Sequence, residues 1–192
     1  LDGDGALELL AYSPGFPDAT GGSGRVTAYG RLGDSLPNTP DWATFRERLI
    51  SAAGDLNGDG FDDLLTCTRG GTNSYVVLRF GGPDGPQGVP VWSLYNNGCT
   101  RTVAIVPDLN NDGYDDVAVR TTGGVDVYAG APTGPASSPS WLLAATLADV
   151  DGPLLGAGDL NGDGFNDLLV GDPEATVDGW DDVGAVLAWY GG

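Results

Sequence analysis

The chain has 192 residues, with 27 acidic and 8 basic side chains and a net charge of -19, which disfavours nucleic acid and anionic membrane surfaces as partners. It contains no His and no Lys. Any catalysis would therefore have to rest on carboxylates, hydroxyls, a thiol or a metal. The 33 Gly and 13 Pro disfavour long helices, and no run approaches the roughly 20 apolar residues of a membrane-spanning helix.

Short, apolar, β-rich runs bounded by Gly, Pro, Asn or Asp recur along the chain and predict antiparallel strands. They form four units, at approximately residues 1–48, 49–101, 102–151 and 152–192. In chain order the predicted strands are 7–12, 25–29 and 42–45; 49–53, 64–68, 75–80 and 91–95; 103–106, 117–120, 125–128 and 141–145; and 154–158, 168–171 and 183–190. The first unit thus lacks an inner strand, and the fourth lacks an outer strand.

A nine-residue acidic loop joins the first two strands of three units, at 55–63, 108–116 and 159–167. Positions one, three, five and nine are Asp or Asn, and a Gly follows position five. Alternating oxygen side chains around a sharp Gly turn suit Ca2+, which binds oxygen ligands in flexible geometry. We predict about three calcium sites, each completed by the backbone carbonyl of position seven. The predicted ligands are Asp55, Asn57, Asp59, Phe61 and Asp63; Asp108, Asn110, Asp112, Tyr114 and Asp116; and Asp159, Asn161, Asp163, Phe165 and Asp167.

A truncated copy of this loop lies at the start of the chain, where Asp2, Asp4 and Glu8 remain and the first Asp is missing. We expect this incomplete metal site to be weak or empty. An EF-hand or a dockerin would need an acidic residue at position twelve, and that position is neutral in all three intact copies. A solvated turn with Asx hydrogen bonds is the alternative for one loop, but three copies in phase favour metal binding.

Two further markers keep a period of about 50 residues, which is typical of propellers and solenoids. A Pro-x-Trp step precedes the last strand of the first three units, with Trp42, Trp92 and Trp141. An aromatic-glycine step follows the third strand of each unit, as at 80–83 and 128–132. Together with the acidic loops, these steps resemble the FG-GAP repeats of the integrin α-subunit β-propeller family over essentially the whole chain.

The resemblance implies an all-β fold, namely a β-propeller of four-stranded antiparallel blades. About four blades are expected, with both terminal blades incomplete, so that the chain forms a partial or oligomer-completed propeller. Because open blade edges invite pairing, the expected partner is another copy of the chain or the rest of a longer parent chain.

The two cysteines, Cys67 and Cys99, fall in the same unit. They could form a disulfide, which would fit an extracellular location. Two buried thiols are the equally weighted alternative.

Several side chains outside the loops have structural interpretations. The regular places of Trp42, Trp92 and Trp141 favour packing between blades over sugar-stacking platforms. Trp180 lies in an acidic, non-periodic stretch and is expected to be the most exposed Trp, acting as a loop anchor rather than a ligand contact. Glu47, which stands between two Arg residues, is interpreted as part of a solvated strand end.

These features predict a calcium-binding, non-catalytic β-propeller scaffold for protein or ligand binding in a secreted or cell-surface protein. No carboxylates outside the loops form a constellation that predicts catalysis. Two alternatives stay open: a carbohydrate-binding propeller lectin, and an accessory propeller domain of a larger extracellular hydrolase. An extracellular protein or a glycan is therefore a possible partner, while nucleic acid and a membrane span are not expected.

Overall fold

The described part of the chain is all-β. The computed structural model describes residues 9–17, 23–29, 39–45, 47–52, 54–70, 73–95, 102–121, 123–145 and 152–192. Within these ranges there are fourteen strands in four antiparallel sheets. The same ranges contain no helix with the length and apolar character needed to cross a membrane.

Each sheet consists of strands that follow one another in sequence. The first sheet contains β1 (Leu9–Pro17), β2 (Ser23–Tyr29) and β3 (Trp42–Phe45). The second contains β4 (Glu47–Ala52), β5 (Leu64–Gly70), β6 (Asn73–Arg79) and β7 (Trp92–Tyr95). The third contains β8 (Val103–Val106), β9 (Asp116–Thr121), β10 (Gly124–Tyr128) and β11 (Trp141–Ala144). The fourth contains β12 (Leu154–Gly158), β13 (Asp167–Asp172) and β14 (Ala185–Trp189).

Strand composition matches strand position in the third sheet. In β9 the first five residues are buried, and this Val-rich run lies between two neighbouring strands. In β11, at the sheet edge, half-buried residues alternate with exposed ones. Antiparallel pairing places Trp141 opposite Val127 and Leu143 opposite Val125, so the apolar side chains of β11 follow the core face of β10.

The chain divides into two compact units. The first comprises Leu1–Asp55 and Asp59–Cys99 and holds the first two sheets. Its core includes Ala28 and Leu64, with Leu10 and Trp42 packed against them. The second comprises Leu56–Gly58 and Thr100–Gly192 and holds the other two sheets. Its core includes Val106, Leu109, Ala118, Val125, Val127, Leu154, Leu168 and Val170, flanked by Trp141 and Trp189.

A buried ion pair lies in the first unit. Glu47 is 4% exposed and accepts hydrogen bonds from Arg79 on both carboxylate oxygens, at 2.6 and 3.0 Å. Thr66 also donates to the Glu47 carboxylate, at 2.8 Å. The interpretation of Glu47 as part of a solvated strand end is therefore wrong, because its charge is neutralised inside the sheet by an Arg two strands away.

The strand pattern agrees with the sequence prediction in number and order, and it differs mainly at strand ends. The last strand, β14, covers Ala185–Trp189 rather than residues 183–190. Val183 and Gly184 both donate their backbone N–H to the carbonyl of Ala175, at 3.2 Å each. These bonds belong to the loop before β14, so the strand starts two residues later than predicted. The unit boundaries stay sequence-based predictions.

Candidate metal centre

The three intact loops fold into the same nested turns. In the second loop the Asp108 carboxylate accepts hydrogen bonds from the backbone N–H of Asp112 at 3.1 Å and of Gly113 at 2.7 Å. The other loops repeat this pattern: Asp55 accepts from Asp59 at 3.1 Å and Gly60 at 2.8 Å, and Asp159 accepts from Asp163 at 3.1 Å and Gly164 at 2.9 Å. Position six has a positive φ in each loop, of 87° at Gly60, 93° at Gly113 and 95° at Gly164, which glycine adopts readily.

Local hydrogen bonds also hold the side chains of positions three and five. Asn110 accepts from the Asp112 N–H at 3.2 Å, and its amide donates to the Asp112 carboxylate at 2.8 Å. Asp112 in turn accepts from the Tyr114 N–H at 3.0 Å. The third loop shows the same three bonds among Asn161, Asp163 and Phe165, and the first loop shows the last of them between Asp59 and Phe61.

The N–H donors have an electrostatic effect on the first position. Hydrogen bonds from backbone N–H groups, that of Gly164 first, lower the pKa of the Asp159 carboxyl below its ordinary value. Each N–H that points at the carboxylate stabilises its charged form. The loop backbone therefore keeps this oxygen pair ionised, which is the state that a hard cation needs.

The ninth position has a different environment. Asp63, Asp116 and Asp167 are all 0% exposed. Asp116 accepts from the N–H of Leu109 at 2.9 Å with one oxygen and from the N–H of Gly130 at 3.0 Å with the other. Burial raises the pKa of Asp116 to about 6, although these two hydrogen bonds act in the opposite direction. The ninth carboxylate thus ties the loop to the sheet that follows it.

The glycine of the aromatic-glycine step is the second partner of this carboxylate in every intact repeat. Gly81 donates to Asp63 at 2.9 Å, as Gly130 does to Asp116, and Gly191 donates to Asp167 at 3.0 Å. A Cβ at Gly130 would collide with the backbone oxygen of Asp115. The same collision, with the residue before the ninth position, would occur at Gly81 and Gly191. Glycine is therefore required at this step by close backbone approach.

Two of the three intact loops also accept a backbone hydrogen bond from a later aromatic-glycine step within the second unit. The Leu109 carbonyl accepts from the Gly192 N–H at 3.0 Å, and the Leu56 carbonyl accepts from the Ala131 N–H at 2.9 Å. The Asn166 amide adds a bond to the Asp108 carbonyl at 2.9 Å. The backbone of position two thus connects one repeat to the next.

The donor set of these loops suits Ca2+ because it consists of carboxylate, amide and backbone oxygens. Within the described ranges, however, no group of three or more His, Cys, Asp or Glu side chains lies together as a metal cluster. In the second loop Asp108 is half-buried and Asp112 is exposed, whereas the buried Asp116 directs its oxygens to two backbone N–H groups. Each oxygen of Asp116 still has a lone pair beyond these bonds. Its role as a ligand stays a prediction.

Several sequence-predicted residues lie outside the described residues or outside the loops. Asp2, Asp4 and Glu8 of the incomplete site are outside the described residues, as is Cys99. Cys67 is buried in β5 and is disulfide-bonded, and its pairing with Cys99 stays a prediction.

The Trp side chains divide into packed and exposed ones. Trp92 is 8% exposed, and Trp42 and Trp141 pack against apolar clusters. Trp180 is 73% exposed, which confirms the prediction that it is the most exposed Trp, and its role as a loop anchor stays a prediction.

Comparisons with known proteins agree with this repeat architecture. The family described as FG-GAP-like repeat matches residues 108–170, and the FG-GAP repeat family matches residues 50–78. Both matches include intact acidic loops and the strands beside them. Residues 50–78 and 108–170 thus match FG-GAP repeats, and the four described sheets are blades of the β-propeller type.

Curated relatives that match the chain include integrin α subunits. Integrin alpha-IIb of Mus musculus is 31% identical over 149 residues, covering 62% of this chain and 14% of the relative. Integrin alpha-7 of Homo sapiens is 31% identical over 147 residues, covering 65% and 12%. Integrin alpha-PS3 of Drosophila melanogaster is 30% identical over 148 residues, covering 65% and 13%. The chain is therefore similar to part of the integrin α subunits and matches only a small part of the length of these relatives.

Proposed function

We propose that the chain is a calcium-stabilised, non-catalytic β-propeller segment that serves as a binding scaffold in a secreted or cell-surface protein. The observation that supports this most directly is the threefold repetition of one oxygen-rich turn with the same backbone hydrogen bonds. The likeness to integrin α subunits supports a scaffold rather than an enzyme. The disulfide at Cys67 supports an oxidising compartment.

The proposed ligands are the oxygens of positions one, three, five and nine and the carbonyl of position seven. Positions one and five place two carboxylates on the same turn, where their charges repel one another. When bound, Ca2+ would supply positive charge to these oxygens and tie the ends of the two joined strands together. The loop's own hydrogen bonds preset the turn, which lowers the ordering cost of binding.

Calcium titration of the chelated protein tests the proposal directly. Isothermal titration calorimetry should give about three equivalents of Ca2+, and excess EDTA should lower the melting temperature by several degrees, because a ligand that binds the folded state stabilises it. The control is Asp84→Asn, which removes one exposed carboxylate outside the loops and should leave both measurements unchanged. Equal melting curves with Ca2+ and with EDTA would rule the proposal out.

A further part of the proposal concerns completion of the blades. The first and fourth sheets have three described strands each, whereas the second and third have four. At β14, which has β13 as its described neighbour, Val186 is 71% exposed. Among the described strands β14 is the last of its sheet, and an edge strand is suited to pairing with a further strand, so another copy or the rest of a parent chain is the proposed partner. A monomeric mass by light scattering at micromolar concentration would argue for the parent chain.

The lining of a cavity in the second unit supports a lectin less well than it supports a scaffold. A cavity of about 80 Å³ lies there beside the indoles of Trp141 and Trp189. Its other side chains are aliphatic except for Tyr190. A sugar site combines an aromatic face with several polar groups that orient the ligand, and the lining of this cavity has few polar groups. Binding on a glycan array that is lost on Trp141→Ala would nevertheless favour a lectin. An accessory role in a larger hydrolase is compatible with the same scaffold.

A further inference from the structure

The connection between β13 and β14 is longer than its counterparts. In the second sheet β5 ends at Gly70 and β6 starts at Asn73, and in the third sheet β9 ends at Thr121 and β10 starts at Gly124. In the fourth sheet β13 ends at Asp172 and β14 does not start until Ala185. We call residues 174–183 the Trp180 hairpin.

The Trp180 hairpin has a defined backbone. Val177 and Trp180 form an antiparallel bridge and exchange two backbone hydrogen bonds, at 3.0 and 3.1 Å. The two residues between them, Asp178 and Gly179, have φ values of 53° and 80°. Positive φ at both central positions is the type I′ hairpin turn, for which Asp-Gly is a preferred sequence. The turn therefore presents Trp180 from a fixed backbone.

The apolar side chains of the hairpin face solvent. Trp180 is 73% exposed, Val183 is 56% exposed and Val177 is 40% exposed. A Trp this accessible offers a large area that a partner could bury, and Trp is enriched among the residues that dominate binding energies. Regular strand packing gives no reason for an indole at this place, because the hairpin lies outside the sheet ladder.

The negative charge around Trp180 favours a positively charged partner. Glu174, Asp178, Asp181 and Asp182 are exposed, and the segment contains no basic residue. An indole face with carboxylates beside it attracts an Arg or Lys side chain through cation–π and ionic contacts together. A second copy of this chain has a net charge of -19 and would meet these carboxylates with like charge, so the Trp180 hairpin is a different surface from the strand edge proposed above for self-pairing.

We propose that the Trp180 hairpin is a docking surface for an arginine-rich polypeptide segment. The proposal rests on the proposed function as a binding scaffold and adds the surface and the partner chemistry. An arginine guanidinium would stack on the indole and bond to the neighbouring carboxylates, while aliphatic stems of the partner cover the two Val side chains.

A fluorescein-labelled arginine-glycine repeat peptide is the probe, titrated with the full chain in calcium buffer at physiological ionic strength and followed by fluorescence anisotropy. Trp180→Ala keeps the net charge and should weaken binding by about fivefold or more. Tyr95→Ala is the matched control, since Tyr95 is an aromatic residue 54% exposed in β7, and it should leave the affinity unchanged. An Asp181→Asn, Asp182→Asn double variant should weaken binding as well.

Three results would overturn the docking proposal. Equal affinity of the parent protein and Trp180→Ala would assign binding to bulk charge, and equal loss in both aromatic variants would deny any special role of the hairpin. Binding of a neutral glycan that Trp180→Ala abolishes, without binding of the peptide, would replace the basic partner with a sugar. The melting shift on adding Ca2+ is measured on the same samples, so failure of this proposal is distinguishable from failure of the calcium scaffold.

Discussion

Asp116 and Gly130 are joined by a hydrogen bond of 3.0 Å from the glycine N–H to the buried carboxylate. This bond links two sequence markers that lie in different parts of the repeat, the acidic loop and the aromatic-glycine step. The same pairing occurs between Asp63 and Gly81. The ninth position of the loop therefore has a structural task that does not require an ion.

Substitutions within the second loop should separate that structural task from metal binding. Asp116→Asn exchanges an acceptor for an amide N–H that would face the N–H of Leu109 or Gly130, and the cost should be about 1–3 kcal/mol of unfolding free energy in EDTA. Asp112→Asn, on the exposed turn, should have little effect in EDTA. Urea unfolding followed by Trp fluorescence measures both. Equal stabilities of the two chelated variants would contradict this division.

The loops should bind metal independently of one another. Asp59→Asn, Asp112→Asn and Asp163→Asn each remove one carboxylate from position five, which is exposed in every intact loop. Each variant should lose or greatly weaken about one equivalent of Ca2+ while keeping the others, because distant sites behave additively. Calorimetric stoichiometry provides the measurement. Loss of all binding in any single variant would instead indicate one cooperative unit.

Gly130→Ala should be strongly destabilising. The added Cβ would meet the backbone oxygens of Asp115 and Leu56 as well as the Cβ of Tyr114, and a forced shift of this kind costs about 1–3 kcal/mol or more. Gly88→Ala is the control, since nothing lies within 4 Å of the Cβ that it would add. Thermal unfolding of the two variants compares them directly, and similar melting temperatures would contradict the close approach at Gly130.

Removing one partner of the Glu47–Arg79 pair should lower the unfolding free energy more than replacing both partners with apolar residues. Arg79→Met leaves the Glu47 carboxylate buried without its cation and should lower the unfolding free energy by about 3–5 kcal/mol. The double variant Glu47→Leu, Arg79→Met removes both charges and should recover most of that loss. Chemical denaturation of the single and double variants measures both unfolding free energies. A double variant as unstable as Arg79→Met would mean that the pair contributes through its own attraction.

The sequence was sufficient for the strands and for the turns of the acidic loops. Strands such as Val103–Val106 are short apolar runs with turn residues at both ends, and this signal depends only on local chain properties. The nested bonds of Asp108 with the next turn are likewise local, spanning four and five residues. The spacing of residues close together in the sequence is therefore enough to predict the strands and the loop turns.

The remaining features depend on which residues meet after folding. Glu47 and Arg79 are 32 residues apart, and the two Arg residues beside Glu47 in the sequence gave the misleading impression of a solvated end. The buried Asp116 likewise bonds to Gly130, which lies 14 residues further along the chain, after β10. A possible signal was the joint recurrence of Asp at position nine and Gly at the aromatic-glycine step, but their separation varies between repeats, from 14 to 24 residues.

The long connection after β13 has a consequence for engineering. β13 starts at Asp167, beside the third acidic loop, and ends at Asp172, where the connection to β14 begins, so the two segments lie at opposite ends of one strand. The chain already accommodates extra residues at this second end without losing the pairing of β13 with β14. A foreign epitope grafted between Asp178 and Gly179 would thus be displayed away from the oxygen-rich turn, on a blade whose hydrogen-bond ladder supports it.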